Sequence, residues 1–170
     1  RMPRILYVAT STTIGGAEKT VFTLANLLEP KKFPVAGVVS LKPKGYYADK
    51  LDKEGIKTWT LNVKDQAGIK DLQKLALIVH SAKPDIVHAV MYQAIQLCRA
   101  VRRLGYAEFK LVSSPRVNYR TRSAFSLWVD KKLRSADDLL IAECESSRKY
   151  LVERLSYPEA KIMTIFNGVD

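Results

Sequence analysis

Residues 5–18 read ILYVATSTTIGGAE: five apolar residues, a polar loop that ends in two adjacent glycines, and the start of a segment with helical spacing. A short apolar run of this kind is typical of a strand that is buried on both faces. The apolar residues that follow recur at the spacing of one helix face, at Val21, Leu24, Ala25 and Leu28. The stretch therefore predicts a strand, a glycine-containing turn and a helix, which is the start of a β–α unit.

The same alternation continues along the whole chain. Apolar runs recur at residues 5–9, 35–40, 58–61, 86–89, 111–113, 139–142 and 162–166, with segments of helical spacing between them. Parallel strands joined by crossover helices are the arrangement that buries both faces of such a sheet. A chain of 170 residues with 47% apolar residues is long enough for one domain with a sizeable core. The sequence predicts a single doubly wound α/β domain of about seven parallel strands.

Composition also bears on the compartment. No apolar stretch approaches the ~20 residues that a membrane-spanning helix needs, and the start of the chain lacks the order of a signal peptide. Cys98 and Cys144 are the two cysteines, and each lies in an apolar segment. We expect both to be buried free thiols in a reducing environment, because a single pair is weak evidence for a disulfide framework. These features predict a cytoplasmic protein.

Positive charge is concentrated in one part of the chain. The formal net charge is +11, and residues 99–134 hold ten Lys or Arg against Glu108 and Asp130, a net charge of +8. Such a field concentrates phosphates, acidic lipid headgroups or nucleic acid; the alternative is a solvated face that only maintains solubility. In the same region, Phe125 and Trp128 stand at helical spacing, so we expect them to pack in the core.

The glycine loop is the first candidate site. In an open parallel sheet, ligands gather at the carboxyl ends of strands near the point where the strand order reverses. Gly15 and Gly16 follow the first strand, where backbone amides and the positive end of a helix face an anion. Alternatively, the glycines only permit unusual torsion angles. The loop matches neither the dinucleotide Gly-x-Gly-x-x-Gly pattern nor a P-loop.

Three further side chains follow or end predicted strands. His88 ends the fourth strand, where an imidazole acts as a hydrogen-bond donor or a base, or has a structural role only. Arg116 follows the fifth strand as a forked cation that suits a phosphate, or as one more exposed arginine of a basic loop. Glu145 lies between the sixth strand and a helix, where it contacts substrate or complements the helix N-terminus.

Four motifs in order carry a family likeness. They are IGGAEK at residues 14–19, KPDIVH at 83–88, ADDLLIA at 136–142 with Glu145 after it, and KIMTIFNGVD at 161–170. Over nearly its whole length, the chain resembles the N-terminal, acceptor-binding lobe of retaining GT-B glycosyltransferases of family 4. Two positions depart from the family pattern, since Val90 stands where many members have a second histidine and Cys144 precedes Glu145 where many have serine.

The resemblance implies a function for a longer protein. Residues 1–170 would form one of two Rossmann-like lobes with the active site in the cleft between them, and the C-terminal donor-binding domain is absent from this chain. The full-length enzyme would move a sugar from a nucleotide-sugar donor to an acceptor in glycolipid or cell-surface polysaccharide assembly, such as lipopolysaccharide. It would need no metal and no cofactor. We predict that the isolated lobe is inactive, because the leaving diphosphate would lack half of its binding site.

The resemblance also assigns roles to residues. Gly15 and Gly16 would lie beside the donor diphosphate and the transferred sugar. His88, the catalytic candidate, and Arg116 would lie on the acceptor side of the cleft. Asn167 and Gly168 would lie at the crossing between the domains. The basic residues 99–134 would hold the enzyme on anionic headgroups at the inner face of the membrane.

Two other functions come into consideration. A non-catalytic Rossmann-like module that binds anions or nucleic acid would use the same basic region, but the chain carries no recognised nucleic-acid motif, so we expect no nucleic-acid partner. An NAD-linked oxidoreductase is excluded, because the chain lacks the glycine fingerprint and has no acidic residue at the end of the second strand, residues 35–40, to hold the ribose.

Overall fold

The fold is a seven-stranded parallel sheet with helices on both faces. The computed structural model describes residues 2–12, 16–27, 34–115 and 124–165. The strands are β1 (Ile5–Ala9), β2 (Val35–Ser40), β3 (Thr58–Thr60), β4 (Ile86–Val90), β5 (Lys110–Ser114), β6 (Leu139–Ala142) and β7 (Ile162–Thr164). The helices are α1 (Gly16–Leu27), α2 (Tyr46–Lys53), α3 (Ile69–Ala82), α4 (Tyr92–Arg103), α5 (Ala124–Leu133) and α6 (Glu145–Glu153). The prediction of a doubly wound, Rossmann-like domain is confirmed.

The order of the strands places the reversal next to β1. The sheet runs β3-β2-β1-β4-β5-β6-β7, and every neighbouring pair is parallel. From β1 the chain moves outward to β2 and β3, and then crosses back to β4 on the other side of β1. The strand order therefore reverses between β1 and β4, which is where this class of fold binds ligands.

Alternate residues of β1 belong to two different cores. Leu6 and Val8 lie in the larger cluster with residues of α3 and α4. Tyr7 and Ala9 lie in a second cluster, which includes Val21 of α1. All five residues of β1 are buried, because helices cover the sheet on both faces at this strand. The two-residue period of a strand thus distributes one apolar run between two helical layers.

The prediction that every strand is buried on both faces is wrong for the outer strands. β6 alternates between half-buried and buried residues, and Met163 of β7 is exposed. Helix α6 contacts both of these strands on one face, and it packs against Leu140 and Ala142 there through Leu151. The alternation shows that the opposite face of these strands is covered less completely in the described part of the chain.

Helix α2 was not predicted from the sequence. It has eight residues, and its buried face consists of Tyr47, Ala48 and Leu51. Three apolar positions among charged neighbours are too few to give a recognisable helical periodicity. Tertiary contacts support its start: the backbone N–H of Tyr47 donates to the carbonyl of Thr12 over 2.8 Å, and the Gly45 N–H donates to the Thr12 hydroxyl over 2.9 Å.

A buried ion-pair network joins α4, α5 and β6. Arg99 is 0% exposed, and its Nη1 lies 2.7 Å from Oδ1 of Asp130. Its Nε donates to both carboxylate oxygens of Asp137, at 2.9 and 3.1 Å. The Tyr157 hydroxyl donates to Asp130 and accepts from Arg99. Burial by itself lowers the pKa of Arg99, but the hydrogen bonds and charge of Asp137 outweigh it and raise that pKa well above its usual value.

This network corrects the interpretation of residues 99–134 as one basic surface. Arg99 contributes no surface charge, since two carboxylates neutralise it in the interior. Arg102 is paired with Asp138 over 2.6 Å. Charges that are close in sequence are therefore divided between the interior and the surface.

Phe125 and Trp128 are not in the core. They are 70% and 57% exposed, so the sequence-based expectation is wrong. The physical reason is Asp130, which is 2% exposed and bonded to Arg99. Residues 125 and 128 lie on the opposite side of the helix from residue 130. Once the carboxylate faces the interior, both aromatic rings must face solvent.

Candidate active site

In this class of fold, the ligand crevice lies at the carboxyl edge of the sheet, where the strand order reverses. Helix α1 begins at Gly16 after β1, and α4 begins at Tyr92 after β4. The two N-termini flank the reversal point from opposite faces of the sheet, and each carries a partial positive charge. Gly16 is the first residue of α1, which agrees to within one residue with the helix start that the sequence predicts. Gly15, Arg116, Asn167 and Gly168 lie outside the described residues, and their roles stay predictions.

Hydroxyl groups fix the chain as it leaves β1. The Ser11 hydroxyl donates to Oε1 of Glu18, in the first turn of α1, over 2.7 Å. The Thr10 hydroxyl accepts from the backbone N–H of Ala94 in α4, over 3.3 Å. Together with the bonds of Thr12 to the start of α2, these contacts tie one short segment to three helices. These residues are not among the candidates that the sequence predicts. The signal that could have found them is the run of hydroxyl residues at 10–13, before the glycines.

Met91 makes the junction between β4 and α4 with a single residue. Its φ is 75° and its ψ is 156°, a region of the Ramachandran plot that glycine favours and that costs other residues about 1–3 kcal/mol. Its N–H donates to the Ser114 carbonyl, and its carbonyl accepts from the N–H of Ile95, both over 3.0 Å. The strained residue directs α4 back over the sheet immediately after β4. No sequence pattern indicated it.

His88 lies in the middle of β4 and does not end the strand as predicted. It is the third of five residues, opposite Tyr7 of β1 and Val112 of β5. Its Nε2 lies 2.8 Å from the Ser114 hydroxyl, at the end of β5, and its ring centroid is 5.6 Å from that of Tyr7. Burial raises the pKa of Tyr7 to about 12, which keeps that phenol neutral beside the imidazole.

The contact with Ser114 gives the His88 ring a fixed orientation. A serine hydroxyl both donates and accepts, so it suits either tautomer of the imidazole. Ser114 itself is 6% exposed and lies at the end of β5, two residues closer to the carboxyl edge in register than His88. The pair therefore links the half-buried imidazole to the edge of the sheet through a hydroxyl group.

Glu145 opens α6 at the same edge, as predicted, and is exposed. The residue before it, Cys144, is the N-cap: its Sγ accepts from the Ser147 N–H at 3.4 Å and lies 3.2 Å from the Ser147 hydroxyl. These hydrogen bonds, that of the Ser147 side chain above all, lower the pKa of Cys144. The thiol takes the capping position that a serine commonly occupies. Cys98 is buried as expected, but the expectation that Cys144 is buried too is wrong, since it is half-buried.

The described part of this edge presents the N-terminal turns of α1 and α4, the hydroxyl groups of residues 10–12, and the carboxylates of Glu18 and Glu145. In residues 2–12, 16–27, 34–115 and 124–165, no three His, Cys, Asp or Glu side chains are grouped so that they could hold a metal ion. Within the same ranges, no helix is long and apolar enough to cross a membrane. The chemistry that this arrangement offers is the binding of an anion at helix N-termini, together with hydrogen bonding by an oriented histidine.

Solved structures of similar fold include several glycosyltransferases. HepE from Anabaena, in complex with UDP and glucose, matches with a TM-score of 0.77 and 19% identity, over 99% of this chain and 45% of that chain. A glycosyltransferase from Rickettsia africae gives 0.79 and 21%, over 99% of this chain and 44% of that one. The lipopolysaccharide outer core galactosyltransferase WaaB gives 0.72 and 15%, over 98% and 46%.

The chain thus spans less than half the length of these relatives, and its fold matches one lobe of a GT-B enzyme. A search of curated proteins found no match. The family model described as Glycosyltransferase Family 4 matches residues 14–170, which includes the glycine loop, the His88 strand and the start of α6. On this match, the chain belongs to glycosyltransferase family 4.

Proposed function

We propose that this chain is the acceptor-binding lobe of a retaining glycosyltransferase, which moves a sugar from a nucleotide-sugar donor to an acceptor in glycolipid or cell-surface polysaccharide assembly. In this reaction the bond between the anomeric carbon and the phosphate oxygen breaks, and the nucleoside diphosphate leaves. The acceptor oxygen forms the new bond to the anomeric carbon, and its proton passes to an oxygen of the leaving diphosphate. A donor-binding domain elsewhere in the protein would complete the cleft.

The observation that carries the proposal is the pair of helix N-termini at the reversal point between β1 and β4. A leaving diphosphate develops negative charge, and preorganised backbone dipoles stabilise it without a metal ion. The family membership supports this use of the crevice, as does the UDP bound in the solved structure of HepE. We therefore place the donor diphosphate beside Gly15 and Gly16, and propose that the reaction needs neither a metal nor another cofactor.

We assign the acceptor side of the cleft to His88, Arg116 and Glu145, and the crossing between the domains to Asn167 and Gly168. For His88, the supporting contact is the hydrogen bond to Ser114, which orients the ring toward the edge. If His88 holds the acceptor, His88→Ala raises the KM for the acceptor and lowers kcat, whereas Ser114→Ala has a smaller effect of the same sign. Unchanged kinetics in both variants would remove His88 from the site.

We also propose a cytoplasmic location with a peripheral contact between residues 99–134 and the inner face of an anionic membrane. The exposed cations of this region, among them Arg103, Lys110, Lys131 and Lys132, support it. Each cation near such a surface contributes about 1 kcal/mol.

The direct test is sugar transfer by the full-length protein. The enzyme is incubated with mixed radiolabelled nucleotide sugars and a membrane lipid extract, and label in the lipid fraction is counted. Gly16→Trp is expected to abolish transfer by filling the crevice. The matched control is Gly68→Trp: Gly68 precedes α3, and a Cβ built there meets nothing within 4 Å, so transfer is expected to persist. Failure to consume any donor would refute the proposed function.

A further inference from the structure

Helix α5 presents two large aromatic side chains to solvent. Phe125 and Trp128 are 70% and 57% exposed. Their rings are stacked, with centroids 6.2 Å apart and planes inclined by 23°. Contiguous apolar surface on a soluble domain is a common mark of a binding surface, because it remains in contact with water until a partner covers it.

The same side of α5 is basic. Lys131 and Lys132 are exposed in its last turn, and the Lys132 ammonium lies 5.8 Å from the centroid of the Trp128 ring. Arg103 of α4 is exposed and reaches the next turn, where its Nη1 donates to the Ser135 hydroxyl over 2.7 Å. Asp130, the one acidic residue of α5, faces the interior. The outer side of α5 thus combines aromatic rings with cations.

The buried network fixes this orientation. Asp130 accepts hydrogen bonds from Arg99, from Gln96 at 3.1 Å and from Tyr157. If α5 turned its aromatic rings inward, that carboxylate would lose all three partners. Three donors from two other parts of the chain therefore hold the rings in solvent, so the exposure of the rings is built into the fold.

We propose that Phe125, Trp128, Lys131 and Lys132 form an interfacial anchor that inserts its aromatic rings into an anionic bilayer. Aromatic side chains favour the headgroup level of a membrane, and flanking lysines attract acidic headgroups. This inference rests on the proposed function and deepens it, because it assigns the membrane contact to one helix and to apolar insertion. Helix α5 begins near the carboxyl edge of β5, so a bilayer held there lies close to the candidate cleft.

A glycan platform is the competing use of exposed aromatic rings, and the observations favour the bilayer. Sugar-binding rings commonly line a concave site in which polar side chains fix the orientation of the ligand. Here both rings stand on the outer side of a helix, their charged neighbours are lysines, and the carboxylate of Asp130 points away from them.

The experiment is sedimentation of the full-length protein with vesicles of phosphatidylcholine that contain phosphatidylglycerol, without any substrate. The double variant Phe125→Ser/Trp128→Ser is expected to bind about a hundredfold more weakly than wild type, about tenfold for each ring removed from the apolar phase. Its control is Leu77→Ser, which removes a side chain that is 69% exposed on α3 and is expected to leave binding unchanged.

A second pair of variants separates position from charge. Lys131→Ser/Lys132→Ser is expected to weaken binding about fivefold per lysine. Lys70→Ser/Lys74→Ser removes the same charge from two exposed positions on α3 and is expected to have a much smaller effect. Lipids brominated in their acyl chains should quench wild-type fluorescence more than that of Trp128→Phe, because the Trp128 ring reaches the chains.

Three results would overturn the proposal: no binding of wild type to these vesicles, full binding by Phe125→Ser/Trp128→Ser, or a loss in that variant of affinity for soluble oligosaccharides alone. The last result would identify a glycan platform. The proposed transferase activity is tested separately. If vesicle binding follows the expected order among the variants but no sugar is transferred to any acceptor, the proposed anchor is supported and the proposed activity is refuted.

Discussion

Replacing Arg99 by methionine tests whether the buried network holds this domain together. Met has a similar length and no charge, so Arg99→Met removes the cation and leaves Asp130 and Asp137 buried, each 2% exposed. The substitution deletes every hydrogen bond that the guanidinium donates to those two carboxylates and to Tyr157. The tyrosine hydroxyl, Gln96 and Ser113 remain as the only donors of the network to the two acids among the described residues.

The expected loss of stability is about 3–5 kcal/mol, the usual result of removing one partner from a buried ion pair. Two carboxylates lose their counter-ion together, which argues for the upper part of this range. For a chain of this size, each kcal/mol lowers the Tm by roughly 2–4 °C, so the Tm should fall by about 6–20 °C.

The assay is urea unfolding followed by far-UV circular dichroism. The matched control is Arg102→Met, three residues further along the same helix. The Arg102 side chain is 27% exposed and pairs with Asp138. Partly exposed pairs contribute at most about 1 kcal/mol, so this variant should lose far less stability. A loss below about 1 kcal/mol for Arg99→Met would refute the reasoning.

Three further predictions follow from local geometry. Cys144 should react with an alkylating reagent in the folded chain, because its hydrogen bonds with Ser147 lower its pKa. Cys98 should react only after unfolding, because burial raises its pKa. Mass spectrometry of the labelled peptides distinguishes the two cysteines. Met91→Gly should be more stable than Met91→Ala by about 1–2 kcal/mol in denaturant titrations, since only glycine relieves the strained φ; the opposite order would contradict the strain. Gly37→Ala should destabilise the fold by about 2–3 kcal/mol, because its Cβ would clash with the Trp59 ring and stand 2.7 Å from the backbone carbonyl oxygen of Lys57; an unchanged Tm would contradict this clash.

Part of the candidate site was accessible from sequence. The positions of Gly16 and Glu145 near helix starts agree with the sequence-based expectation, because each lies in the short segment between an apolar run and a segment of helical spacing. The prediction that His88 ends β4 is wrong, because the strand continues for two more residues, to Val90. The strain at Met91 and the contact between His88 and Ser114 depend on how β4 and β5 pair, which no local pattern encodes.

The sequence by itself determined the number of strands, their places along the chain and their parallel arrangement, whereas their order in the sheet came from the structure. Each strand is a short apolar run between helical segments, and burial of both sheet faces leaves few other arrangements. Only the tertiary structure decided which side of α5 faces water and which cations are buried. Arg99 meets Asp130, Asp137 and Tyr157 at separations of 31, 38 and 58 residues. The helical spacing of Phe125 and Trp128 shows that they share a helix face. Whether that face points to solvent or to the core depends on the partner of Asp130, which lies elsewhere in the chain.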